Sequence, residues 1–186
     1  ELYQAHAQRL ALMLQNQTEE EFADSRFQVL SELTRLRQLC CDPALVYENY
    51  EGGSAKLDLC IELIQSAVES GHKILLFSQF TSMIEILTAR LQEESISYFV
   101  LQGSTKKEQR AQMVEQFNRD DTSVFCISLK AGGTGLNLTG ADIVIHYDPW
   151  WNVAVENQAT DRAHRIGQKN VVTVYKLIAK GTIEEK

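Results

Sequence analysis

From about residue 54 onward, apolar runs of strand length alternate with amphipathic stretches of helix length. Strand runs are predicted at residues 73–78, 97–101, 123–128, 141–147 and 171–178, and helices at 54–70, 81–94, 106–118 and 153–165. The strand runs are continuously apolar instead of alternating, which is typical of strands that are covered on both faces. The pattern therefore predicts an α/β domain with a mostly parallel sheet between layers of helices.

The first 50 residues contain no convincing strand and predict a helical segment. Apolar residues recur at helical spacing over 2–14 and 22–39, and Asp42-Pro43 should end the second helix because the residue before proline avoids the α region. Residues 51–54 read as a linker, with Ser54 as the cap of the next helix. We therefore expect a helical segment over 1–50 and the α/β domain over 54–186. The chain begins without Met and stops in what looks like a starting helix, so we expect a fragment truncated at the domain's C-terminal end.

Composition excludes several classes of protein. No apolar run approaches the ~20 residues that a membrane span requires, so no membrane partner is expected. The four cysteines have no spacing typical of a metal site or a disulfide framework, and Cys126 reads as a small core residue. We expect an intracellular protein with no metal ligands of its own, in the cytoplasm or nucleoid of a prokaryote or the nucleus of a eukaryote.

The charge is distributed unevenly between the two halves of the chain. Residues 1–101 carry 7 basic and 15 acidic side chains, whereas residues 102–186 carry 11 basic and 10 acidic ones. The net charge of −7 argues against an indiscriminate nucleic-acid binder. An anion-binding surface is therefore expected in the second half.

Residues 158–168 are the strongest functional signal. If the helix predicted over 153–165 forms, then Gln158, Arg162 and Arg165 lie at i, i+4 and i+7 on one face. An amide and two guanidiniums on one face suit a phosphate. The alternative is a solvated helix face on which Asp161 pairs with Arg165.

Three further loops follow predicted strands. The glycine-rich loop 130–139 could contact phosphate oxygens through backbone N–H groups, although it matches neither GxxxxGK[ST] nor GxGxxG; it could also be a packing turn. Loop 102–105 offers Ser104 or Thr105 as a helix cap, with or without a bound phosphate. The adjacent tryptophans of loop 148–152 could stack on a nucleotide or pack in the core.

Together these loops resemble the second RecA-like lobe of the Swi/Snf-like ATP-dependent DNA translocases of helicase superfamily two. The matching segments are motif IV at 74–80, motif IVa at 101–105, motif V at 128–138, the Trp-Trp segment at 148–152 and motif VI at 158–168. The resemblance implies a RecA-like parallel sheet sandwiched between helices and preceded by a helical segment.

The resemblance also implies a role for each matching residue. Arg162 and Arg165 would be arginine fingers toward the ATP triphosphate, and Gln158, Gly133 and Gly135 would lie at the ATP cleft. The residues expected to face DNA are Ser78, Gln79, Gly103, Ser104, Thr105, Lys130, Asn137, Trp150 and Trp151.

The implied cofactors are ATP and Mg²⁺, both held mainly by a first lobe that this chain lacks, so the isolated chain should be inactive. The implied partners are that first lobe in cis and double-stranded DNA, with a nucleoprotein complex or a polymerase as the remodelled substrate. Two alternatives remain: a lobe of an RNA or duplex-unwinding helicase, and a non-catalytic module that binds a partner protein through residues 1–50.

Overall fold

The computed structural model describes residues 1–129, 136–150 and 152–186. The chain divides into two compact units, one formed by residues 1–56 with 179–186 and the other by residues 57–178. The eight C-terminal residues, which sequence reasoning assigned to the α/β domain, thus group with the helical unit. The domain bounds taken from the sequence stay a prediction.

The helical unit contains helices α1 (Leu2–Gln15) and α2 (Glu19–Cys41), which pack through Leu10, Val29 and Leu36. A capping box begins α2, in which the Thr18 hydroxyl accepts from the Glu21 N–H and the Glu21 carboxylate accepts from the Thr18 N–H. This box explains why α2 begins before Phe22, where apolar spacing alone placed its start. Proline ends α2 as expected, and the Asp42 side chain caps a 3₁₀ helix over Pro43–Leu45.

A buried ion pair holds the C-terminal residues in the helical unit. Lys56 Nζ lies 2.6 Å from a carboxylate oxygen of Glu184, and both side chains are largely inaccessible to solvent. The same carboxylate accepts the N–H of Ala179 at 2.7 Å, and the Tyr3 hydroxyl accepts the N–H of Ile183 at 2.7 Å. Residues 179–186 are therefore anchored by polar contacts that no periodicity could predict.

The second unit is a parallel α/β structure. Its strands are β1 (Ile74–Ser78), β2 (Tyr98–Leu101), β3 (Val124–Ser128), β4 (Ile143–His146) and β5 (Thr173–Lys176). They pair in the order β2-β3-β1-β4-β5, and every pairing is parallel. The helices are α3 (Ala55–Glu69), α4 (Thr81–Glu93), α5 (Lys107–Arg119) and α6 (Val153–Thr160).

The centre of the sheet is covered on both faces. Every residue of β1, β3 and β4 is buried, although successive side chains point to opposite faces of a strand. The core around Phe117 and Phe125, whose rings meet edge to face at 5.2 Å, accounts for one of these faces. The expected fold, a RecA-like parallel sheet between helices, is confirmed, as is the core role of the fully buried Cys126.

Three local expectations were wrong. The edge strand β5 is exposed at all four residues, although its sequence reads as a buried run. Helix α5 has Lys106 as its N-cap residue without a side-chain cap, so neither Ser104 nor Thr105 caps it. Helix α6 ends at Thr160, five residues earlier than predicted. Among the described residues, no helix is long and apolar enough to cross a membrane.

Candidate functional site

The loops of interest follow the carboxyl ends of parallel strands, so they gather along one edge of the sheet. Loop 102–105 follows β2, Gln79 follows β1, and the Trp-Trp segment follows β4. Residues 130–135 and Trp151 lie outside the described residues. The roles expected for Lys130, Gly133, Gly135 and Trp151 therefore stay predictions from the sequence.

Ser78 is buried at the end of β1 and contacts the loop that follows β4. Its side chain is 0% exposed, and its hydroxyl donates to a carboxylate oxygen of Asp148 at 2.5 Å. Asp148 also accepts the N–H of Gln79 at 3.2 Å, and the Gln79 amide donates to the carbonyl of Pro149 at 3.4 Å. The end of β1 is thus tied to the loop after β4. A DNA contact by Ser78 departs from this placement because the side chain does not reach the surface, whereas Gln79 is half-buried.

Loop 102–105 lies at the surface with a closed internal geometry. Gly103 and Ser104 are exposed, and Thr105 is half-buried. The Thr105 hydroxyl accepts the N–H of Gln102 at 3.1 Å, and the Thr105 N–H donates back to the Gln102 carbonyl at 3.1 Å. The Thr105 hydroxyl is therefore used to shape the loop instead of capping α5.

The end of motif V is held by an asparagine that sequence reasoning missed. The Asn118 amide donates to the carbonyl of Asn137 at 2.7 Å and its oxygen accepts the N–H of Gly140 at 2.9 Å. A Cβ atom at Gly140 would lie 2.9 Å from Asn118 Cα, so only glycine allows this close approach. Asn137 itself is exposed, as its expected contact with DNA requires. Asn118 lies in the last turn of α5, next to the core residue Phe117, and a single asparagine there carries no functional signal by itself.

The Trp-Trp segment is tied to a buried carboxylate. Glu156 is buried on α6 and accepts the backbone N–H of Trp150 at 3.0 Å while pairing with Lys176 on β5. Burial alone would raise the pKa of Glu156, but the hydrogen bonds from Lys176 and Trp150 and the nearby charges lower it on balance. Trp150 is half-buried, so the structure leaves both packing and ligand contact open to its ring.

The two motif VI arginines are not equivalent. Because α6 ends at Thr160, Arg162 and Arg165 lie in the turns that follow, and the predicted single helix face with Gln158 does not form. Arg162 is only 5% exposed, and burial, followed by repulsion from Arg165, lowers its pKa. Arg165 is exposed, and its Nε donates to the Asp161 carbonyl at 3.3 Å, instead of the ion pair between side chains that the alternative reading required.

Gln168 ties this turn to the segment that leads into β4, a role that the sequence did not reveal. Its amide nitrogen lies 3.1 Å from the Thr139 carbonyl, 2.6 Å from that of Ala141 and 3.1 Å from that of Ala163. The Arg162 carbonyl accepts the N–H of Leu138 at 3.0 Å in the same region. Motifs V and VI are therefore joined through backbone groups.

A pocket of about 670 Å³ opens between these two motifs. It is lined by Asn137, His164, Arg165, Ile166, Gln168 and Asn170. The volume is within the range of small-molecule sites. The structure thus brings Arg165 and Asn137 together, while Gln158 is exposed on α6 and does not line the pocket. Among the described residues, no group of three or more His, Cys, Asp or Glu side chains could hold a metal ion.

Replacing Gly167 with alanine is expected to destabilise the motif VI turn. The backbone at Gly167 has φ +102°, which L-residues rarely adopt, while a Cβ would meet no atom within 4 Å. The expected cost is therefore conformational, about 1–3 kcal/mol in the free energy of unfolding. Urea unfolding followed by tryptophan fluorescence measures it. Gly103→Ala is the matched control because its φ lies outside this region and its Cβ also meets open space; equal destabilisation of both variants would contradict the explanation.

The parallel sheet and the joined motifs at its strand ends define a RecA-like lobe of the helicase type. Residues 55–167, more than half of the chain, match the helicase conserved C-terminal domain. The chain therefore belongs to this family, as a C-terminal lobe of SWI2/SNF2 type.

Individual relatives support this placement. An uncharacterized ATP-dependent helicase of Mycoplasma pneumoniae is 47% identical over 87% of this chain, which spans 16% of that protein. The human chromatin-remodeling ATPase INO80 is 48% identical over 72% of this chain and 9% of its own length. Among solved structures, the C-terminal domain of the Sulfolobus solfataricus SWI2/SNF2 ATPase superimposes on this chain with a TM-score of 0.80 and 32% sequence identity. The match covers 99% of this chain and 75% of that domain's chain. The core of the same ATPase, solved in complex with double-stranded DNA, superimposes with a TM-score of 0.79 and 33% identity, over 99% of this chain and 39% of that one. The chain thus spans less than a fifth of these curated relatives.

Proposed function

We propose that this chain is the second motor lobe of an ATP-dependent translocase that moves along double-stranded DNA and remodels nucleoprotein complexes. The observation that carries the proposal is the exposed Arg165, which lines a pocket between motifs V and VI. A cation that is exposed at this place, on a turn that Gln168 ties to the segment before β4, suits an anionic ligand brought by another lobe. The dsDNA in the solved Sulfolobus relative supports the choice of nucleic acid.

In this proposal Arg165 is an arginine finger that reaches the ATP triphosphate when the lobes close. Bound ATP with Mg²⁺ supplies the phosphoryl group and the charge neutralisation between its phosphates. Arg165 stabilises the negative charge that develops on the transferred group. Arg162, also proposed as a finger, must work from a buried position next to Arg165, where it can orient the turn and add positive potential. Gln158, Gly133 and Gly135 complete the proposed ATP-cleft set.

The DNA-facing side of the proposal uses backbone and polar groups at the strand ends. The proposed contacts are Gln79, Gly103, Ser104, Thr105, Lys130, Asn137, Trp150 and Trp151. Contacts to phosphates carry no sequence information, which suits a motor that must move along any sequence. Ser78 is not among the proposed DNA contacts; its hydrogen bond to Asp148 instead positions the loop after β4.

Nucleic-acid specificity is the decisive test. We expect duplex DNA to stimulate ATP hydrolysis by the full-length protein more strongly than single-stranded DNA or RNA, because the proposed contacts follow a duplex backbone. Steady-state hydrolysis rates at saturating concentrations of each nucleic acid measure this. Equal or stronger stimulation by RNA or single strands would favour the unwinding or RNA helicase instead.

The isolated 186-residue chain is expected to show no ATP hydrolysis, because the proposed ATP site needs a first lobe. Robust ATP turnover by the isolated chain would contradict the proposal that the two lobes form the site together.

A further inference from the structure

The side chain of Arg110 closes the loop between β2 and α5 from inside. Arg110 is half-buried in the first turn of α5. Its Nε donates to the carbonyl of Thr105 at 2.9 Å, and its Nη2 lies 3.3 Å from the carbonyl of Gln102 and 3.2 Å from that of Gly103. One guanidinium therefore donates to the carbonyl oxygens of three of the four residues of loop 102–105.

This arrangement sorts the polar groups of the loop backbone. The N–H of Gln102 and that of Thr105 are used inside the loop. The N–H groups of Gly103 and Ser104, by contrast, donate to no described residue, and both residues are exposed. The carbonyl oxygens of Gln102, Gly103 and Thr105 thus face Arg110, while the N–H groups of Gly103 and Ser104 remain available as donors. Lys106 and Lys107, which follow in the chain, are exposed.

An exposed carbonyl oxygen would repel a phosphate oxygen, whereas a free N–H group attracts it. Holding the carbonyls on a guanidinium removes that repulsion and fixes the direction of the neighbouring N–H groups. The planar fork of arginine can reach several carbonyls at once, which the single ammonium of lysine cannot do in the same geometry. The contribution of Arg110 should therefore depend on its shape and not only on its charge.

We propose that Arg110 is a positioning residue for DNA binding, which presents the N–H groups of Gly103 and Ser104 to a backbone phosphate without touching DNA itself. This inference rests on the proposed function, since it assigns a cause to the phosphate contact of loop 102–105. Arg110 carries no motif signal by itself; only its contacts with the loop reveal the role.

The test uses the full-length protein with Arg110→Lys and Arg110→Ala. The control is Arg119→Ala, which removes an equal charge from the same helix, where Arg119 is exposed and pairs with Glu115 at 2.8 Å. Dissociation constants for a short duplex DNA are measured over a range of salt concentrations. We expect both Arg110 variants to bind about 10-fold more weakly, the scale of one or two lost hydrogen bonds, while Arg119→Ala binds like the wild type.

The salt dependence separates positioning from direct contact. A neutral N–H group releases no counterion, so the slope of log K against log salt should stay unchanged in Arg110→Ala. A slope smaller by about 0.9 would show that Arg110 itself neutralises a phosphate and would overturn the proposal. Wild-type affinity in Arg110→Lys would also overturn it, because charge alone would then suffice.

A measurement without DNA tests positioning independently. Amide hydrogen exchange at Gln102 and Thr105, whose N–H groups are bonded inside the loop, should become faster in Arg110→Lys. Exchange in β1 and β3 should stay protected, because the loop loses its support and the sheet does not. Unchanged exchange in the loop would contradict the proposal. If the wild-type protein does not bind duplex DNA at all, the proposed function fails, and the exchange result still decides whether Arg110 orders the loop.

Discussion

The full-length protein carrying Arg165→Ala is expected to lose DNA-stimulated ATP hydrolysis while it keeps most of its affinity for DNA. Removing an arginine finger costs roughly 10³–10⁵ in the rate of phosphoryl transfer. Arg165 is exposed at the pocket between motifs V and VI, where it can reach a ligand brought by another lobe. Its replacement should leave the fold unchanged, because the turn is held mainly by Gln168 and by backbone groups. Steady-state hydrolysis with and without duplex DNA, beside a DNA-binding titration, measures the effect.

Arg119→Ala is the control for a general loss of positive charge, since it too removes an exposed arginine, from a different surface. Arg162→Ala is expected to lower both activity and stability, because Arg162 is only 5% exposed and its loss leaves a cavity in the packed turn. If Arg165→Ala hydrolyses ATP at the wild-type rate, Arg165 is not a finger. If it loses DNA affinity and hydrolysis to the same extent, its role lies on the DNA side instead.

The stability of the α/β unit is expected to fall as the pH drops from about 6.5 toward 4, because of His146. His146 is 0% exposed at the end of β4, and burial lowers its pKa to about 4 despite the opposing effect of Glu156. Unfolded histidine has a pKa of about 6.5 and takes up a proton in this window, whereas the folded state does not. The contribution of neutral His146 to the free energy of unfolding is thus fully present above pH ~6.5 and falls by up to about 3 kcal/mol as the pH drops toward 4.

The surroundings of His146 explain why protonation is unfavourable. The Thr160 hydroxyl lies 3.1 Å from His146 Nε2 and 3.2 Å from the Glu156 carbonyl. When the hydroxyl donates to that carbonyl, it accepts the hydrogen of Nε2 from the neutral ring. A second proton on Nδ1 would meet no hydrogen-bond acceptor among the described residues. The ring also stacks on Phe77 at 5.5 Å.

Urea unfolding at a series of pH values, followed by tryptophan fluorescence, measures the dependence, because the backbone N–H of Trp150 is bonded to Glu156 in this cluster. His146→Asn should flatten the curve between pH ~6.5 and ~4. His164→Ala, which removes an exposed histidine, should leave the curve unchanged. A slope that persists in His146→Asn would assign the effect to another group and refute the explanation.

Much of the fold can be predicted from local pattern. The alternation of strand runs and helices predicted every strand and helix of the α/β unit, because burial on both faces of a parallel sheet demands continuous apolar runs. The ends of the elements were predicted less accurately, since they depend on caps and turns. The helix through Arg165 ended at Thr160, and the apolar run around Val174 became an exposed edge strand, because which strand is central depends on pairing between distant segments.

The motifs likewise identified the family and the loops, but not the state of each side chain. Residue spacing placed Arg162 and Arg165 together, yet only the tertiary structure buries one and exposes the other. It also buries Ser78 against Asp148 and turns Arg110 onto loop 102–105. Sequence by itself thus determined the parallel α/β architecture and the segments that form the site, because periodicity and motif order are local properties. Burial and hydrogen-bond direction were decided by the tertiary structure, because they depend on partners distant along the chain.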